Sequence, residues 1–74
     1  MTDPNEIRAL KASFAGAIDT AAALAALQAT IDGLDERGDI SQADLEELGR
    51  VSAAHAIASA ALRGLVNAMQ ARRS

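Results

Sequence analysis

Apolar side chains recur at three- and four-residue steps over two long stretches, and an acidic segment with two glycines separates them. This is the pattern of two amphipathic helices joined by a turn. In the first stretch Ile7, Leu10, Phe14, Ala17, Ile18, Ala21, Leu24, Leu27 and Ile31 trace one slowly turning stripe. In the second, Leu45, Leu48, Val51, His55, Ala58, Leu62, Leu65, Val66 and Met69 trace another. The end signals agree with the stripes. Asp3 suits an N-cap, Pro4 the first helical position, and Glu6 stands three residues after the cap, so a helix is expected from residue 4 to about residue 32. Gly33 and Gly38 lie among Asp32, Asp35, Glu36 and Asp39, residue types that favour turns, so the chain is expected to reverse over residues 33–41. Ser41 can cap a second helix over residues 42 to about 72, with Asp44 at its third position and Arg72 and Arg73 suiting its C-terminal end. Gly49 and Gly64 each cost up to about 1 kcal/mol against Ala inside that helix. A break at Gly49 would turn two helices into three.

The expected fold is therefore all-α: an antiparallel helical hairpin of two long Ala-rich helices, one domain over residues 1–74, and a rod about 40–45 Å long at 1.5 Å per residue. Composition makes this hairpin look incomplete. A domain near this size buries only about 60% of the surface its unfolded chain exposes. Half of the residues are hydrophobic, but more than half of those are Ala, and Phe14 is the only aromatic. Both helices also carry a second apolar face. Ala53, Ile57, Ala60, Ala61, Gly64 and Ala68 lie opposite the Leu48, Val51 and Leu62 stripe, and Ala22, Ala26 and Ala29 lie behind Leu24 and Leu27. A helix apolar nearly all round is usually a buried one. A hairpin covers one face of each helix, so these nine residues are the expected partner interface. The simplest closed solution is a twofold homodimer forming a four-helix bundle; another helical protein is the alternative occupant. Replacements such as Ile57→Glu or Ala60→Glu are expected to abolish assembly.

The net charge is −3 and unevenly placed. Asp32, Asp35, Glu36, Asp39, Asp44, Glu46 and Glu47 crowd the middle of the sequence against Arg37 and Arg50, while Arg8, Lys11, Arg63, Arg72 and Arg73 lie toward the termini. Folded in half, the chain becomes a rod with an acidic tip and a basic open end. Two such rods lying antiparallel would set unlike ends together. Nucleic acid, which requires a concentrated positive face, is disfavoured as a general partner. The start of the chain lacks the features of a signal peptide, and the longest charge-free runs are about 12 residues against the roughly 20 needed for a bilayer crossing. No membrane span and a cytoplasmic location are the expectations.

Candidate chemistry is sparse. The absence of Cys removes disulfides, thiolate catalysis and common structural zinc sites. The serines have no adjacent base, and no glycine-rich phosphate loop occurs, so no enzyme activity, cofactor or metal is expected. His55 shares a helical face with Ser52 and Ser59, which makes side-chain contact along one helix and no triad. It is expected to be a core or interface histidine with a hydrogen-bonded ring. The segment Gly33 to Asp44 resembles an EF-hand loop, with Asp35 at the third position, Gly38 at the sixth, Ile40 at the eighth and Ser41 at the ninth. Gly33 at the first position, Arg37 at the fifth and Asp44 at the twelfth depart from the ligand pattern, and an ordinary capped acidic turn is expected.

Phe14 beside Arg8 and Lys11 is similar in plan to the small RNA-binding hairpin dimers that regulate plasmid copy number. That likeness implies the alternative function, a nucleic-acid-binding regulatory hairpin dimer. The plan is also similar to the helical-hairpin co-chaperones of type III secretion needle subunits, which implies apolar faces that hold a partner helix. No diagnostic motif accompanies either likeness. The expected function is a small non-enzymatic protein–protein interaction module.

Overall fold

The structure is a computed structural model that describes residues 2–73. Its elements are all helical: α1 (Pro4–Ala25), α2 (Gln28–Asp32), α3 (Leu34–Arg37) and α4 (Gln42–Arg73). α1 and α4 pack against each other, so the chain is a helical hairpin, 55 Å long and 17 × 16 Å across. It exceeds the expected length because α4 alone, at 32 residues, spans about 48 Å, and the tip extends past its start.

The helix ends follow their side chains. Asp3 accepts a hydrogen bond from the Asn5 N–H at 2.9 Å, and Pro4 occupies the first turn. Glu6 does not return to the cap; its carboxylate takes the Arg72 guanidinium across the open end. Ser41 Oγ accepts from the Asp44 N–H at 3.1 Å while the Ser41 carbonyl accepts from Leu45 N–H, so α4 starts on the expected cap. α4 then runs unbroken through Gly49 and Gly64. Packing along one side outweighs a propensity penalty of about 1 kcal/mol per glycine.

The first arm differs from a single helix. At Leu27 the N–H bonds to the Leu24 carbonyl at 3.0 Å, one residue short of the α-helical partner, which tightens the chain into a turn between α1 and α2. The expected reversal over 33–41 contains α3 as well. Gly33 both ends α2 and begins α3, and Gly38 ends α3 in the left-handed region (φ 76°), its N–H donating to the Leu34 carbonyl at 2.7 Å. Only glycine takes that φ without steric penalty. Arg37 folds back over Gly33 and donates to the Thr30 carbonyl at 2.6 Å, tying the tip together.

Candidate functional site

The seam between the arms is narrow. On α1 it consists of Leu10, Ser13, Gly16, Ala17, Thr20 and Leu24, and on α4 of Leu48, Val51, His55, Ala58, Leu62, Leu65, Val66 and Met69, all at least partly buried. The α4 stripe matches its periodicity apart from Leu45, which is exposed. The centre of the seam is built from small groups: a Cβ placed on Gly16 would sit 3.9 Å from the Ala58 Cβ. Close approach there lets polar side chains meet. The Thr20 hydroxyl donates to the Gly16 carbonyl at 2.8 Å, with Ala17 O also near at 3.2 Å. Having one proton, Thr20 Oγ1 then accepts from His55 Nδ1–H at 2.8 Å, which leaves His55 Nε2 to accept from the Ser59 hydroxyl at 3.3 Å. His55 thus sits in the seam with both ring nitrogens partnered.

What the hairpin leaves uncovered is more informative. Among the described residues only Val51, at 7% exposed, is fully buried. Phe14 is 56% exposed, Ile18 53%, Ile7 42%, Leu45 48% and Ile57 72%. Ile7, Phe14, Ile18, Ala21 and Ile31, the last 40% exposed, therefore do not join the core, as the single stripe read from the sequence had them. The stripe is really two. Residues 10, 13, 17, 20, 24 and 27 face α4 at three- and four-residue steps, whereas residues 7, 14, 18, 21 and 25 run beside them on an exposed flank with steps of seven, four, three and four. The nine residues expected at a partner interface, Ala53, Ile57, Ala60, Ala61, Gly64, Ala68, Ala22, Ala26 and Ala29, are all exposed in the single chain.

Among the described residues no three of His, Asp and Glu converge as metal ligands. The EF-hand-like segment is largely helical, with Asp35 and Arg37 inside α3. The cleft at the open end is lined by Thr2, Glu6, Met69, Arg72 and Arg73. Its charged groups are turned on their neighbours: Arg72 pairs with Glu6, and Arg73 donates to Thr2 Oγ1 at 2.6 Å. By length and composition alone, Pro4–Arg37 contains an 18-residue window of mean hydropathy 1.4, long and apolar enough to cross a membrane. Counting uninterrupted charge-free runs missed it because Asp19 divides the stretch. In the fold the same segment lays Thr20 and Leu24 against α4.

Compared with known protein families, curated proteins and solved structures, the chain matches none.

Proposed function

We propose that this chain is a non-enzymatic helical interaction module, a hairpin whose uncovered apolar side is completed by another helical chain, as a homodimeric bundle or as a small adaptor or chaperone-like shield. The observation that carries the reading is the burial pattern. A hairpin with one fully buried side chain among the described residues, and with its only aromatic and three of its isoleucines more than 40% exposed, leaves a substantial part of its large apolar surface in water. Each such side chain, if covered, contributes about 1.5–3 kcal/mol. Large exposed apolar surface marks contact sites on soluble proteins.

The test is a thermal melt across a wide range of protein concentration with an apolar dye present. Concentration-dependent melting, or dye binding by the dilute chain, is expected. A dilute monomer that melts cooperatively, at a midpoint independent of concentration and without binding dye, would have a complete core and would refute the reading.

One observation favours the nucleic-acid alternative: Phe14 is exposed one helical turn from Lys11, where a base could stack. Against it stand the net charge of −3 and the engagement of Arg72 and Arg73 at the open end. A low-salt gel shift with random RNA and DNA decides it, and loss of retardation on replacing Arg8 and Lys11 would be its signature.

A further inference from the structure

We propose that the partner is a second copy of this chain, packed antiparallel on the α1 flank of Ile7, Phe14, Ile18, Ala21 and Ala25 with the twofold axis between Ile18 and Ala21. This rests on the interaction-module reading and names the occupant of one part of the uncovered surface, the α1 flank, in place of the nine-residue face expected from the sequence.

Three observations converge on it. The first is the repeat of the flank. Positions 14, 18, 21 and 25 alternate steps of four and three, the spacing by which one helix inserts side chains between those of another, and Ile7 stands one heptad before Phe14. The second is its shape. The bulky residues Ile7, Phe14 and Ile18 occupy its N-terminal half, and Ala21 and Ala25 its C-terminal half. In an antiparallel pair centred between Ile18 and Ala21, each Ile18 meets the other copy's Ala21 and each Phe14 meets the other copy's Ala25. A parallel pair stacks Phe14 on Phe14 and leaves the alanines facing a gap. Matching large to small fills space at the density of a protein interior.

The third observation is charge. The tip carries seven carboxylates against Arg37 and Arg50, and the open end carries five basic residues against Asp3 and Glu6; Asp19 alone lies between. In this register Arg8 of each copy lies beside Ile31 and Asp32 of the other, and the acidic tip runs along the other copy's basic open end. A parallel dimer sets two acidic tips side by side. Both ends are largely solvated, so charge selects orientation and the apolar flank supplies affinity.

The experiment combines mass and distance. Light scattering behind size exclusion gives the mass. A nitroxide at Glu36→Cys, unique because the chain has no other cysteine, gives the separation between tips by pulsed electron resonance. A dimer is expected, with tips separated on the order of the 55 Å rod. Ala21→Lys keeps a good helix former at a position exposed in the single chain, and it is expected to weaken the dimer by about a hundredfold or more with helix content retained, since two ammonium groups enter the interface. Ile57→Lys, on the far side of α4, is expected to leave the dimer within about threefold. A dimer with tips within about 34 Å of each other, two rod widths, overturns the antiparallel register. A dimer lost with Ile57→Lys and kept with Ala21→Lys overturns the α1 flank. A monomer that binds apolar dye overturns the second copy as occupant and leaves the interaction module standing; a monomer with a cooperative, dye-free melt refutes both.

Discussion

Replacing Gly64 by Ala isolates the outer side of α4. A Cβ built on Gly64 meets no heavy atom within 4 Å, so in the single chain the new methyl group neither clashes nor gains a contact. The remaining effect is backbone entropy, about 0.8–1.0 kcal/mol in favour of Ala inside a helix. For a domain of this size such a gain raises the melting midpoint by roughly 4–8 °C. Gly38→Ala is the matched control. It too has open space around it, but its φ of 76° lies where an L side chain costs roughly 1–2 kcal/mol, so the same chemical change is expected to lower the midpoint. Both are read by circular dichroism melts, at one protein concentration because assembly would otherwise shift the midpoint. Destabilisation by Gly64→Ala in the dilute chain would mean that something packs on that side. Stabilisation at low concentration with loss of assembly at high concentration would place the partner on the outer side of α4 and away from the α1 flank.

Four further outcomes are expected. Val51→Ala removes part of the single fully buried side chain and is expected to destabilise by about 1–2 kcal/mol in urea titration; an effect below about 0.5 kcal/mol would deny the seam its role as a core. Thr20→Val keeps the side-chain shape and removes the acceptor for His55, with an expected loss of about 1 kcal/mol and a change in the His55 tautomer signature in nitrogen NMR. Gly16→Ala adds a methyl in ordinary contact with Ala58, 3.9 Å away, and is expected to stabilise by up to about 1 kcal/mol. Glu6→Gln, which weakens the pair with Arg72 at a partly covered carboxylate, is expected to cost no more than about 1 kcal/mol in the same assay.

Much of the hairpin was legible because its ends are written in side chains with one local job. Asp3, Pro4 and Ser41 mark helix starts, and Gly38 marks a left-handed stop. The α4 seam was legible because polar residues such as Ser52, Arg63 and Gln70 border it and fix its phase. The phase of α1 was not, for the opposite reason. Alanine fills much of the helix around a band of larger apolar residues, so periodicity locates the band without saying which edge turns inward. Close approach at Gly16 and the hydrogen bond from His55 to Thr20 decide it, and both depend on the other arm. The tightened turn at Leu27 carries no glycine or proline to announce it, and α3 hides in a segment whose composition favours turns. The exposed flank of Ile7, Phe14 and Ile18 follows from that phase, so it emerged only with the fold.

The hydrogen bond between Thr20 and His55 has a consequence for alignment. A seam of alanine and leucine is nearly indifferent to sliding by one helical turn, because each methyl finds an equivalent neighbour about 5.4 Å further along. Moving His55 by one turn would set its ring against Leu24 or Gly16 and remove the Thr20 partner of Nδ1, a loss of about 0.5–1.5 kcal/mol for one hydrogen bond. One polar contact near the middle of the rod therefore acts as an index mark, holding two otherwise slippery surfaces at a single setting.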